Sequence, residues 1–184
     1  MARQTGDFSG LDQDADMAHF AFGYTVPAWK NSRFGIAYNY GSGDDDPTDG
    51  DHETFDNLYP LNHAFYGYMD FFALQNLTNL ELNYKVGVGR NGTLKVAYHD
   101  FHLVEEDTDA WYNAGAGVFR AAPLTNVDSE AGQEVDVTYK FSLLDGRLGI
   151  LAGYSHFDPG DRITDTGSPG ESANYFFLQG KINF

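Results

Sequence analysis

Cysteine is absent from the 184 residues of this sequence, which excludes disulfide bonds and thiolate metal sites. Long apolar runs are absent as well, and no window holds the ~18 consecutive apolar residues that a membrane-spanning helix needs. The mean hydropathy of −0.42 is that of a water-soluble chain. Neither hydropathy nor the length of apolar runs detects a transmembrane β-strand, because only alternate residues of such a strand face lipid.

Basic residues are scarce. The chain has 11 Lys and Arg residues against 27 Asp and Glu residues, so its net charge is −16. Because such a surface repels phosphate groups, nucleic acid is not a predicted partner. The first residues, Met1 to Gly6, lack the apolar stretch of a signal peptide. An outer-membrane protein needs that signal, so we expect either that it has been removed or that a longer chain has been cut.

Aromatic residues and glycine are abundant, with 12 Tyr, 15 Phe and 21 Gly, a composition that favours strands and tight turns. In seven segments, apolar residues alternate with polar or small ones, as in a β-strand with one apolar face. Residues 2–8 offer a short eighth strand. The apolar rows are Phe20-Phe22-Tyr24-Val26, Phe34-Ile36-Tyr38-Tyr40, Leu80-Leu82-Tyr84-Val86-Val88, Leu94-Val96-Tyr98, Val135-Val137-Tyr139-Phe141-Leu143, Leu148-Ile150-Ala152-Tyr154 and Phe176-Leu178-Gly180-Ile182-Phe184.

The connections between these segments alternate in length. Short turns lie near residues 27–32, 90–92 and 144–147, whereas long polar loops cover residues 42–76, 105–131 and 158–172. This alternation is typical of outer-membrane barrels, which have short periplasmic turns and long external loops. We therefore predict an all-β fold, an antiparallel transmembrane β-barrel of about eight strands. It would form one domain over residues 1–184, with Phe184 facing the periplasm. The alternative is a soluble sandwich that buries the apolar rows between two sheets.

The faces opposite the apolar rows are predicted to point into the barrel. They carry six basic and three acidic residues, so this inner wall is net basic. A low-dielectric wall would focus the field of these charges and concentrate anions. Alternatively, the charges pair with one another and fill a small closed barrel. The predicted lumenal residues are Arg33, Lys85, Lys95, Lys140, Arg147 and Lys181, with the acids Glu81, Glu134 and Asp136.

The acidic residues concentrate in the predicted long loops. Clustered carboxylates can bind calcium through their oxygen atoms, and Asp44, Asp46, Asp49 and Asp51 are the candidate ligands. No Glu stands at the twelfth position of an EF-hand loop, so a solvated, repelling loop is the alternative. Calcium is the only cofactor that the sequence suggests.

Catalytic motifs are weak throughout the sequence. The histidines His63, His99, His102 and His156 have no metal-ligand spacing, and no serine lies in a nucleophile elbow. Ser155 and His156 are adjacent, so on a strand they point to opposite faces and cannot easily pair. We therefore predict that the protein is not an enzyme.

Residues 54–70, TFDNLYPLNHAFYGYMD, resemble a motif of the alginate-export family of outer-membrane porins. Supporting pieces follow the same order: residues 41–44, 98–101, 109–115 and 153–157. Residues 175–184, ending in Phe184, look like an outer-membrane assembly signal. The resemblance implies an outer-membrane location, contact with lipid and with the assembly machinery, and a basic lumen that passes anionic polysaccharide. It covers only the C-terminal part of a family member, and family members form larger barrels.

The same motif suggests a constriction formed by His63, Tyr66, Tyr68 and Asp70. In one interpretation this segment folds inward and narrows the mouth of the barrel. In the other, the rings of Phe65, Tyr66, Tyr68, Phe71 and Phe72 form an aromatic belt at the membrane surface. Seven or eight strands close too tightly for a polymer. The sequence therefore leaves open whether the chain closes alone, assembles from copies or belongs to a wider barrel, and which solute it passes.

Overall fold

The computed structural model describes residues 1–63 and 65–182, so the predicted position of Phe184 lies outside the described residues. The chain forms eleven strands there, with 3-10 turns at Pro27–Trp29 and Leu144–Gly146 and one short helix, α1, at Asp161–Asp165. None of the described helices is both long and apolar enough to cross a membrane. The strands are β1 Ala2–Phe8, β2 Leu11–Val26, β3 Ser32–Gly41, β4 Asp51–His52, β5 Leu77–Val88, β6 Gly92–His102, β7 Trp111–Tyr112, β8 Val118–Arg120, β9 Glu130–Leu143, β10 Leu148–Pro159 and β11 Ala173–Ile182.

Eight long strands build one antiparallel sheet in the order β1-β2-β3-β5-β6-β9-β10-β11, which confirms the predicted all-β antiparallel fold. Strand β4 adds to β2, and β7 and β8 form a separate hairpin. Within the described residues, β1 pairs only with β2 and β11 only with β10, so the sheet is open at both edges. The predicted closure into a barrel is therefore not made by these eight strands.

The predicted eighth strand at residues 2–8 is confirmed as β1. Its partner β2 begins at Leu11, well before the apolar row that starts at Phe20. The early half of β2 escaped prediction because it is rich in Asp and Gln and has no apolar row. Ser9 and Gly10 join the two strands with φ angles of 55° and 91°, as a tight hairpin turn requires.

The two faces of the sheet differ in polarity. The predicted apolar rows project away from the protein, and Phe22, for example, is 72% exposed. A two-sheet sandwich would have buried these rows, so the described fold does not support that alternative. The opposite face carries buried polar side chains, including Asn39, Asn79, His99 and Ser155.

From β2 onwards, short turns and long connections lie at opposite ends of the sheet, whereas the tight Ser9–Gly10 turn lies at the end with the long connections. The turns after β2, β5 and β9 span only a few residues, whereas the connections after β3, β6 and β10 are long. We call the part of the first long connection that covers residues 55–75 the inward segment, because it packs against the polar face of the sheet.

An aromatic core holds the long connections on the sheet. Phe72, from the inward segment, lies between Phe101 of β6, with ring centroids 3.9 Å apart, and Trp111, at 4.8 Å. The indole Nε1 of Trp111 donates a hydrogen bond to the carbonyl of Phe71 over 2.7 Å. Phe72 is therefore a core residue, whereas the aromatic-belt interpretation placed it at the membrane surface. The buried cluster comprises Phe72, Leu77, Phe101, Leu103, Trp111, Ala131, Phe157 and Ile163.

We predict that Phe101→Ala lowers the free energy of unfolding by about 3–5 kcal/mol, because it removes a fully buried ring and leaves a cavity. Urea unfolding of the detergent-folded protein, followed by tryptophan fluorescence, measures this loss. Phe22→Ala is the matched control, since it removes the same side chain from an exposed position. An equal loss for both variants would contradict the placement of the core.

Candidate functional site

Four of the six predicted lumenal cations meet on the polar face of the sheet. Lys85, Lys95, Lys140 and Lys181 line one cavity of about 740 Å³ near the short turns, which we call the lysine cavity. Its wall also carries the side chains of Thr93, Thr138, Ser142, Asn91 and Gln179, which offer further hydrogen-bonding groups. Strands β5, β6, β9 and β11 each contribute one of the four lysines, because their alternation points these positions to the same face.

The two predicted arginines do not line this cavity. The guanidinium of Arg33 lies over Gly23 on the neighbouring strand, where a Cβ atom would come within 2.3 Å of Arg33 Nη2. A glycine at this position is what leaves room for the guanidinium. Arg147 follows the 3-10 turn at Leu144–Gly146 and is exposed.

Most of the lysines in the cavity lack an acidic partner. Lys95 Nζ lies 3.3 Å from Glu81 Oε1, which is the ion pair expected of a filled barrel. Within residues 1–63 and 65–182, Lys85, Lys140 and Lys181 make no salt bridge. The cavity therefore keeps three ammonium groups free to attract an anion.

Of the other two predicted lumenal acids, Asp136 is engaged within the sheet. Its Oδ1 accepts a hydrogen bond from the Ser155 hydroxyl on β10, and its Oδ2 lies 3.6 Å from Nε2 of His99 on β6. All three side chains are buried. Asp136 therefore links three adjacent strands and does not neutralise a lysine.

Glu134 anchors the inward segment to the sheet. Its side chain is fully buried, and Oε1 accepts hydrogen bonds from the backbone N–H groups of Tyr68 and Met69 at 2.7 and 3.0 Å. Gly67 precedes these donors with φ +80°, and a Cβ atom there would lie 2.5 Å from the Glu134 carboxyl carbon. Only glycine allows this approach. The sequence predicted that Glu134 lies on the inner wall. It did not indicate the contact of Glu134 with the backbone of Tyr68 and Met69, apart from the presence of a glycine in the 54–70 motif.

The inward segment lies between two cavities. Tyr68 lines the lysine cavity, with its ring stacked on Phe177 of β11 at a centroid distance of 5.0 Å. His63, Tyr66 and Asp70 line a second cavity of about 450 Å³ on the other side of the segment. His63 donates its backbone N–H to Asp70 Oδ1 over 2.7 Å, which links two positions within the segment. The four residues of the predicted constriction thus all lie on the inward segment, and the narrowing of a barrel mouth by them stays a prediction.

The four acids that suggested calcium lie in the first long connection, where they do not converge on one point. Asp46 accepts hydrogen bonds from Thr48, and Asp49 accepts one from the backbone of Asp51. Asp44 is buried, and burial together with the nearby carboxylate of Asp109 raises the pKa of Asp44. In the part of the chain that is described, no three His, Asp or Glu side chains converge as metal ligands. The geometry therefore gives no support to calcium at Asp44, Asp46, Asp49 and Asp51.

The fold and the site define an all-β protein whose sheet has one apolar face and one charged face, the latter partly covered by the long connections. The model of the Alginate export family matches residues 1–178 of the chain. The chain therefore belongs to the alginate export family, which is a transport family and not a catalytic one. A search of curated proteins found no match.

We predict that Glu134→Ala releases the inward segment, because two backbone N–H groups lose their acceptor. Hydrogen–deuterium exchange of peptides covering residues 65–72 should accelerate by about 10- to 100-fold, the range that the loss of two hydrogen bonds implies. Glu134→Gln keeps a carbonyl oxygen and should retain most of the protection. Unchanged exchange in the alanine variant would show that other contacts hold the segment.

Proposed function

We propose that this chain forms part of the wall of an outer-membrane β-barrel. This barrel would pass anionic polysaccharide and favour anions over cations. The observation that carries the proposal is the lysine cavity on the face opposite the apolar rows, where three ammonium groups have no acidic partner among the described residues. Membership of the alginate export family supports export of polysaccharide as the process.

The outer membrane is the proposed location, and its lipid is the proposed partner of the apolar face. The exposed rings and aliphatic chains recur at every second position along strands such as β2, β3 and β11. Side chains of this kind lower their free energy when they leave water for hydrocarbon. Insertion of such a sheet would use the outer-membrane assembly machinery.

A polymer needs a wider ring than eight strands enclose, since eight-stranded barrels are filled by their own side chains. The proposed ring therefore includes further strands between the free edges of β1 and β11. Because eight antiparallel strands alternate in direction, β1 and β11 run in opposite directions. Closure with an even number of added strands keeps every neighbouring pair antiparallel.

Anion preference would arise from the lysine cavity. Lysine ammonium groups on a polar surface beside a low-dielectric wall raise the local concentration of anions and lower that of cations. The hydroxyl and amide side chains of the same wall offer donors and acceptors to a hydroxylated solute. The Glu134-anchored segment would narrow the path next to this cavity.

We predict that combining Lys140→Glu with Lys181→Glu lowers the anion-to-cation permeability ratio several-fold, because two unpaired cations in the cavity become anions. Reversal potentials in planar bilayers under a salt gradient measure this ratio. Lys30→Glu, which reverses one charge in the exposed turn after β2, is the matched control for each single substitution and should have a much smaller effect than either.

Heat-modifiable migration and particle mass in detergent should accompany the electrical measurement, and both should be unaltered by the substitutions. Unchanged selectivity in a conducting sample would overturn the role given to the lysines. A compact, heat-shifting monomer without conductance would instead indicate a small closed barrel with a structural or binding role.

A further inference from the structure

Two arginines that the sequence did not single out meet in the long connections. Arg120 ends β8 and Arg162 lies in α1, and both line a cavity of about 530 Å³, which we call the arginine cavity. Thr125, Thr166 and Asp165 also contribute to its wall. It shares no lining residue with the lysine cavity and lies at the opposite end of the sheet.

Neither arginine has a carboxylate partner, although the chain holds 27 acids against 11 basic residues. Among the described residues, no salt bridge involves Arg120 or Arg162. Arg162 is 1% exposed, and its guanidinium donates to the backbone carbonyl of Glu106. Asp165 is the acid in the cavity wall, but its Oδ2 accepts a hydrogen bond from the backbone N–H of Asp128 over 3.1 Å.

This arrangement leaves positive charge buried and incompletely solvated. Burial lowers the pKa of Arg162; the nearby Glu106 partly offsets this, and repulsion from Arg120 lowers the pKa further. The Nε atom of Arg120 is buried and has no hydrogen-bond partner within the described chain. A buried guanidinium that no carboxylate contacts directly is costly even where the acids Glu106, Asp107 and Asp109 lie nearby, and an anion in the cavity would reduce that cost.

The Arg120 guanidinium is also held in place before any ligand arrives. Its carbon lies 6.0 Å from the ring centroids of both Trp111 and Phe119, and its Nη1 donates to Ser168 Oγ over 3.2 Å. Two ring contacts and one hydrogen bond restrict the motion of the group. A fixed planar fork of N–H donors matches the oxygens of a phosphate group.

We propose that the arginine cavity binds a phosphate group through Arg120 and Arg162. A phosphate monoester carries nearly two negative charges at neutral pH, which matches two guanidinium groups. The group would be either a free phosphate or the headgroup of a lipid. This proposal is independent of the transport role, because it rests on different residues.

Tryptophan fluorescence provides a readout specific to this cavity. The chain has two tryptophans, Trp111 beside Arg120 and Trp29 in the exposed turn at the other end of the sheet. In a Trp29→Phe background, inorganic phosphate should change the emission of the detergent-folded full chain saturably. Arg120→Gln should weaken that response at least tenfold, whereas the matched control Arg90→Gln, in the exposed turn after β5, should leave it unchanged.

The source of the phosphate follows from a second titration with mixed micelles of phosphatidic acid or, as control, diacylglycerol. A response to phosphatidic acid that far exceeds the response to inorganic phosphate would assign a lipid headgroup, and the reverse would assign a free phosphate. Absence of a saturable response to both in the Trp29→Phe protein would overturn the proposal, whether or not the arginine variant folds. A response that Arg120→Gln leaves intact would overturn it as well.

Discussion

The rest of the structure depends on the anchoring of the inward segment by the Glu134 carboxylate. A fully buried carboxyl group is tolerated only where hydrogen bonds replace its water. The backbone N–H groups of Tyr68 and Met69 supply two such bonds to Oε1, whereas Oε2 has no hydrogen-bond partner among the described residues. The same two bonds fix Tyr68 against Phe177 at the edge of the lysine cavity. The polar face is therefore covered and divided by a segment that Glu134 holds together with the aromatic core around Phe72. Gly67 allows the backbone of the segment to approach the Glu134 side chain, which explains in physical terms why the 54–70 motif has a glycine at this position.

A second constraint is the two-residue period of the strands, which assigns each side chain to one of two unlike surroundings. The outer face can be uniformly apolar only because the backbone hydrogen bonds are satisfied by neighbouring strands. The inner face must then satisfy every buried polar group. Asp136 shows how, since it serves Ser155 and His99 on the two flanking strands. The lysines differ because their ammonium groups lie in a cavity wide enough for solvent or solute.

The period and the turn chemistry were sufficient to predict the seven apolar rows and the eighth strand from the sequence, because both are local properties of the chain. They also placed Lys85, Lys95, Lys140 and Lys181 on one face. The exposed position of Arg147 was not predictable from the sequence. This residue lies at the boundary between the turn at Leu144–Gly146 and strand β10, where the alternation of faces does not yet apply. The contact of Glu134 with Tyr68 joins positions 66 residues apart, and no local pattern encodes it. The pairing of Arg120 with Arg162 depends in the same way on how two long connections fold together.

The distribution of charge along the sheet suggests a direction for the proposed transport. Unpaired lysines lie towards the short turns, whereas Asp44, Glu53 and Glu105 lie at the end with the long connections. Burial, followed by repulsion from neighbouring carboxylates, raises the pKa of each of these three acids. Surface charges act over about 8 Å at physiological ionic strength, so the two ends influence a passing chain separately. In the proposed orientation a polyanion is attracted at the periplasmic end and repelled at the external mouth. Attraction at the lysine end concentrates a polyanion where it would enter. The carboxylates at the other end oppose its onward passage, and the guanidinium groups of Arg120 and Arg162, which lie at that same end, partly offset this repulsion. The charges therefore favour entry from the lysine end but do not by themselves drive release.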